Sequence, residues 1–248
     1  MKEKNYYKKI LVVRTDRIGD VVLSTPVLQA LRENFPDSHI AIMVNPRTRE
    51  IVEGNPYINE VIVYDKDRED RGLLEFWRFV IKLKRKKFDL AVVLHTKKRT
   101  NLISYLADIP KRVGYRDSKF GFLLTDYIGD TRHQGLKHEV DYCLDVLRKI
   151  GLKVKDSSLY VPVQKSALDW VEGFLKDNGI HADDKVAGLH AGASCVSKRW
   201  PKERFVALAD KLIERYGFKI VLVAQGPEDI AITNVIAKGI SHPVLNLS

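Results

Sequence analysis

The sequence predicts an α/β protein made of two successive parallel-sheet units, and three observations carry that reading. Short apolar runs alternate with amphipathic helical stretches, which is the pattern of a doubly wound sheet. A polar, lysine-containing connection at residues 151–158 interrupts the alternation, after which it restarts. The 248 residues are 45% apolar, enough to bury one large core or two modest ones.

Taken in order, residues 10–13, 40–44, 61–64 and 90–94 read as buried strands, each a short run of apolar residues. After Asp20, where a helix is expected to begin, Leu23, Val27, Leu31 and Phe35 recur every fourth residue and place one stripe against the sheet. Pro26 lies inside that stretch and is expected to kink an early turn. Residues 139–150 repeat the helical spacing through Val140, Cys143, Leu144, Leu147 and Ile150, and Gly151 ends it. Beyond the connection come a helix at 167–176, a strand at 186–190, a helix carrying Phe205, Leu208, Ala209, Leu212 and Ile213, and strands at 219–223 and 244–247. These spans place a domain boundary near residue 158, giving units 1–158 and 159–248. The second, with about three strands, reads as incomplete, because so small a parallel sheet would leave an apolar edge and face uncovered.

The formal charge of +10, from 42 Lys and Arg against 32 Asp and Glu, favours partners bearing phosphate or an anionic surface. Two cysteines, Cys143 and Cys195, are too few for a disulfide framework or a zinc cluster and fit a reducing, cytoplasmic setting. No run approaches the roughly 18 apolar residues of a spanning helix, so membrane contact would be peripheral, through lysine-rich patches. One such patch is KLKRKK at 82–87, a basic run on a helix end whose simplest meaning is a solvated face. The seven histidines show no ligand spacing, so His95, His138 and His190 read as packing or surface residues and no metal is expected.

Three segments are suited to chemistry. In VRTDRIGDVVLSTP (13–26) a strand ends, Gly19 permits a tight turn and Asp20 opens a helix; Asp20 is either a reactive carboxylate or a helix-start acid, with Asp16 as the next candidate. It is not a dinucleotide fingerprint, and no phosphate loop of the G-x-x-x-x-G-K-[ST] type occurs in the chain. In GLHAGASCVSKRWP (188–201), Gly192, Ala193 and Ser194 let backbone amides approach an anion while Lys198 and Arg199 add charge, which suits a diphosphate; the alternative is a surface loop. In VAQGPED (223–229), Gly226 leads into Glu228, a carboxylate able to accept two ribose hydroxyls or simply to start a helix. Lys97, Lys98 and Arg99 follow the strand at 90–94, where a loop could meet acceptor phosphates.

Combined, KILVVRTDRIGDVVLSTPVLQALRENFPDSHIAIMV, HEVDYCLDVLRKIGL and LHAGASCVSKRWPKERFVALADKLI resemble glycosyltransferase family nine, the ADP-heptose:lipopolysaccharide heptosyltransferases, over nearly the whole chain. The resemblance implies a GT-B fold of two Rossmann-like domains facing across a cleft, the N-terminal one binding acceptor and the C-terminal one nucleotide-sugar. It implies an inverting transfer of heptose from an ADP-sugar donor to a phosphorylated lipopolysaccharide inner-core acceptor at the inner face of the cytoplasmic membrane, with no cofactor. Asp20 matches the family's general base, Ser194 and Lys198 its donor-phosphate contacts, and Glu228 its ribose-binding acid. The family continues into a D-S/T-G-P-x-H segment absent here, so the chain is expected to be C-terminally truncated. Rival readings are a relative using another nucleotide-sugar or acceptor, an inactive fragment that only binds an anionic acceptor or membrane, and a nucleic-acid-binding module. The last is disfavoured because the basic residues are spread along the chain without a recognition motif.

Overall fold

The structure, a computed structural model, describes residues 6–66, 72–116, 120–193 and 195–248. The chain divides into two compact units, Met1–Val163 and Gln164–Ser248. The division falls about five residues beyond the expected position because the connection stays with the first unit. There the Tyr160 amide donates to Thr25 Oγ1 at 3.1 Å, and its ring meets Tyr57 edge-on at 5.9 Å.

The first unit holds a six-stranded parallel sheet: β1 (Lys9–Val13), β2 (His39–Val44), β3 (Glu60–Val63), β4 (Leu90–Val93), β5 (Lys111–Tyr115) and β6 (Asp126–Ile128), in the order β3-β2-β1-β4-β5-β6. β1 lies centrally, Ile10 opposite Ile40 on one side and Leu90 on the other. Its residues 10–13 are apolar without alternation because helices cover both faces. On one face α1 (Ile18–Val22), α2 (Thr25–Asn34) and α5 (Glu139–Lys149) bury Val21, Leu28, Leu31, Cys143 and Leu144; on the other α3 (Leu73–Arg85) and α4 (Lys98–Leu106) bury Phe76, Phe79, Leu83 and Ile103.

Two helix expectations are corrected. The helix begins at Ile18 rather than Asp20, which is its third residue, and the stripe from Leu23 to Phe35 is not one helix. α1 ends at Val22 and α2 starts afresh at Thr25. Pro26 is the second residue of α2, where a missing N–H has no intrahelical partner to lose, so it opens a helix instead of kinking one. Strands β5 and β6 lie outside the spans that the apolar pattern marks. Both lie toward the sheet margin, and of KRVGY only Val113, Gly114 and Tyr115 are buried.

The second unit contains α6 (Lys165–Asp177), β7 (Val186–Leu189), α7 (Lys202–Tyr216), β8 (Lys219–Leu222), α8 (Pro227–Gly239) and β9 (Leu245–Asn246). Its three strands are parallel in the order β7-β8-β9 over a small core of Ala209, Ile220, Leu222 and Ile236. β9 is only two residues long, shorter than the four expected. Among the described residues no helix is long and apolar enough to cross a membrane.

Candidate active site

The strand order of the first unit reverses direction between β1 and β4, and in open parallel sheets ligands gather outside the carboxyl ends at such a point. Both strands end there in polar residues that the core does not need. β1 continues into Arg14, Thr15 and Asp16; β4 continues through Leu94 into His95 and Lys97. Thr15 Oγ1 lies 3.2 Å from His95 Nε2, tying the two strand ends together.

Arg14 is the hub. Its side chain is 1% exposed, donates to the Leu94 carbonyl and, through Nη2, to Glu139 Oε1 at 2.9 Å. It also pairs with Asp16 at 3.4 Å and Asp20 at 3.3 Å. Burial opposes its charge, but the Cys143, Asp16 and Glu139 side chains outweigh burial and hold the guanidinium above its ordinary range. Burial pushes the Cys143 thiol itself up to about 12, so at neutral pH the carboxylates supply that support. Asp20 is turned back on its own helix start as well, accepting from the Arg17 amide at 3.4 Å.

Asp16 pairs with Lys97 in addition to Arg14. Burial alone would raise its pKa, yet His95, Lys97 and Arg14 together hold it below the usual carboxylate range. His95 is buried, and burial is the largest cause that drops it to about 4. It is therefore neutral near pH 7, leaving Lys97 and Arg14 as the charges that keep Asp16 ionised. The Lys97 amide donates to His95 Nδ1 at 3.3 Å, which makes Nε2 the protonated nitrogen and the donor to Thr15.

Asp16 and Asp20 border two hollows of this unit. One, of about 820 Å³, is lined by four cations, Arg17, Arg47, Lys66 and Lys97, against three carboxylates. The other, of about 630 Å³, adjoins Asp130, Arg132 and Glu139 and is acidic on balance. The basic triplet expected to meet the acceptor separates. Lys97 caps α4 and lines the larger hollow, and Lys98 is exposed. Arg99 is half-buried, its guanidinium over the Phe76 and Tyr64 rings at 5.0 and 5.5 Å. Arg99 thus stacks against the α3 core, so the three side chains of the triplet do not share one face, as expected of successive residues at a helix start.

In the second unit the loop after β7 is shaped by close approach. A Cβ on Gly192 would sit 2.2 Å from the Asp229 carboxylate, so a larger residue there would require that side chain to move. Arg199 donates from Nε to the Ala193 carbonyl at 2.9 Å and pairs with Glu228 at 2.6 Å, pinning the loop to the start of α8. Gly226 precedes that helix with φ of 94°, a left-handed value that favours glycine. Glu228 and Lys198 are exposed, and Ser194 lies outside the described residues. The hydrogen bond from Arg199 holds the Glu228 carboxyl below its ordinary range. Arg199 read from sequence as a source of charge; the structure makes it the brace of the loop. Among the described residues no group of three or more His, Cys, Asp or Glu side chains could hold a metal ion.

A six-stranded Rossmann-type sheet with ionised groups at its switch point, followed by a second strand–loop–helix unit built for close backbone approach, defines a two-unit α/β protein suited to anionic, hydroxyl-bearing ligands. Residues 76–248 match glycosyltransferase family 9 (heptosyltransferase), and the chain belongs to that family. It is 26% identical to lipopolysaccharide heptosyltransferase 2 of Salmonella typhimurium over 92% of its own length and 67% of the relative. A family 9 glycosyl transferase from Veillonella parvula has a TM-score of 0.88 at 28% identity, covering 98% of this chain and 70% of that one. E. coli ADP-heptose lps heptosyltransferase II has a TM-score of 0.75 at 22% identity, covering 97% and 72%. These likenesses agree with the GT-B fold class expected from the sequence. The chain spans 64–67% of the length of such curated relatives.

Proposed function

We propose that this protein is an inverting glycosyltransferase that moves heptose from ADP-heptose to a phosphorylated lipopolysaccharide inner-core acceptor. The observation that carries the reading is Asp20: in a chain of family 9, this carboxylate stands beside the switch point of the first sheet, on the rim of both hollows. The relatives' names, lipopolysaccharide and ADP-heptose heptosyltransferases, support the choice of acceptor and donor.

In this mechanism Asp20 accepts the proton of an acceptor hydroxyl as its oxygen attacks the anomeric carbon, and ADP leaves from the opposite side with inversion. One carboxylate base suffices for a direct displacement. Arg14 and the Arg17 amide fix the orientation of that carboxylate, so little reorganisation is needed at the moment of transfer. Arg17, Arg47 and Lys97 supply charge for acceptor phosphates in the larger hollow, Lys97 while also paired to Asp16. On the second unit, Lys198 and the amides of residues 192–194 meet the charge that grows on the departing diphosphate, the role a metal plays elsewhere. Glu228 accepts from the ribose hydroxyls on the side not occupied by Arg199.

The test is a donor and acceptor panel with the purified protein: ADP-heptose against other nucleotide-sugars, and a phosphorylated inner-core acceptor against its dephosphorylated form. Transfer specific to ADP-heptose, weakened when acceptor phosphate is removed, is the expected result. Transfer from another nucleotide-sugar in preference to ADP-heptose would overturn the donor assignment.

A further inference from the structure

One helix of the first unit keeps an apolar face that the fold does not cover. On α3 the side chains Phe76, Phe79, Val80 and Leu83 point into the core. Leu73, Leu74, Trp77 and Ile81 do not, being 82%, 70%, 49% and 48% exposed. At about 100° per residue these four fall within one arc of roughly 100°, adjoining the buried face. Arg78, Lys82 and Arg85 take the next arc, about 120–180° from Leu73, while Lys84, at about 20°, falls at the helix end of the apolar arc and pairs there with Asp108. The helix therefore has three bands: apolar and buried, apolar and exposed, and cationic. α4 packs beside α3 and the short turn Gly121–Leu123 packs on α4; Tyr105 of α4 and Phe122 of that turn are exposed as well.

We propose that this face is a docking surface for an anionic lipid bilayer. Exposed Leu and Trp beside a cationic band are the composition of a helix that lies in a membrane interface, its apolar arc among the acyl chains and its cations at the headgroups. The sign of the charge selects the partner: α3 carries Arg78, Lys82, Lys84 and Arg85 with Glu75 as its one acid, and Lys86 and Lys87 follow directly. Placement fits as well. Tyr64, Asp65 and Lys66, just after β3, line the 820 Å³ hollow, and Arg99 stacks on both Tyr64 and Phe76, so the first turn of α3 lies at the end of the sheet that carries the candidate site. Docking through this face would hold that hollow at the lipid surface, where a lipid-linked acceptor presents its sugars. That purpose rests on the function proposed above; the docking itself does not.

The experiment is flotation of the protein with vesicles of phosphatidylethanolamine and phosphatidylglycerol, with phosphatidylcholine vesicles as the neutral comparison. Two variants accompany it: Leu74→Ser/Trp77→Ser/Ile81→Ser, and Lys82→Gln/Arg85→Gln, whose positions are all on the outer side of the helix. The protein is expected to float with the anionic vesicles. The apolar variant should lower the partition coefficient roughly tenfold or more, and the charge variant by roughly fivefold for each cation removed. Failure of the unaltered protein to float overturns the proposal, as does flotation unaffected by both variants. So does a sedimentation result in which the apolar variant separates two copies of the chain while leaving flotation unchanged, since the occupant is then a second copy. Sugar transfer to a delipidated acceptor should be the same in both variants, and its absence alongside normal flotation would count against the proposed function, not the docking.

Discussion

His95 gives the most quantitative forecast, because its perturbation is large and its cause is visible. The ring is buried between β1 and β4 and titrates near 4, whereas in the unfolded chain it should titrate near 6.5. The folded pKa is the lower one, so as pH falls the unfolded state takes up the proton first and stability is lost. The window runs from about 6.5 down to about 4, and between about pH 7 and pH 5 the loss works out at roughly 2 kcal/mol. The assay is urea denaturation of the first unit at those two pH values, for the protein and for His95→Asn. The variant is expected to be less stable at neutral pH, having lost the contacts to Thr15 and the Lys97 amide, but to lose roughly 2 kcal/mol less on acidification. An identical pH dependence in the two proteins would refute the reasoning. Asp16 adds a separate effect: its depressed pKa contributes stability above the ordinary carboxylate range that is lost only as pH falls through and below it, outside the window assigned to His95.

Replacing Arg14 with Met should destabilise the first unit by about 3 kcal/mol or more at neutral pH, since Asp16, Asp20 and Glu139 would lose their shared cation in a largely buried place; thermal unfolding measures it. Gly192→Ala should displace the Asp229 carboxylate from beside the loop after β7 and lower ADP affinity in calorimetry, while leaving unfolding of the first unit unchanged.

The parts of the fold that were legible from sequence are those where one physical cause acts alone. Residues 10–13 and 40–44 are continuously apolar because both sheet faces are covered, and no other reading competes. The break between α1 and α2 was hidden because Leu23, Val27 and Leu31 keep helical spacing straight across it; Ser24 and Thr25, whose hydroxyls donate to the Val21 and Val22 carbonyls, were the available signal. Of the candidate residues, Asp20 is legible as a carboxylate after a strand end and Gly19, and the loop after β7 as a strand end followed by small residues. The ionic hub did not. Arg14 sits one residue beyond an apolar strand, where a lone arginine reads as solvated, and its partner Glu139 is 125 residues away in sequence. The stacking of Arg99 on Phe76 and Tyr64 was hidden for a related reason: it depends on how α3 and α4 pack, which no local pattern encodes.

The central claim is that Asp20 is the base, and Asp20→Asn tests it most directly. The amide keeps the size and can still accept from the Arg17 amide at the start of α1, so the helix should remain at a cost of about 1 kcal/mol or less. A positioned base contributes roughly 10² to 10⁴-fold, so kcat for heptose transfer should fall by about that factor with ADP affinity nearly unchanged. Lys198→Ala, by contrast, should weaken ADP binding and turnover together. Near-normal kcat in Asp20→Asn would contradict the account, reducing Asp20 to a helix-start acid and passing the role to Asp16.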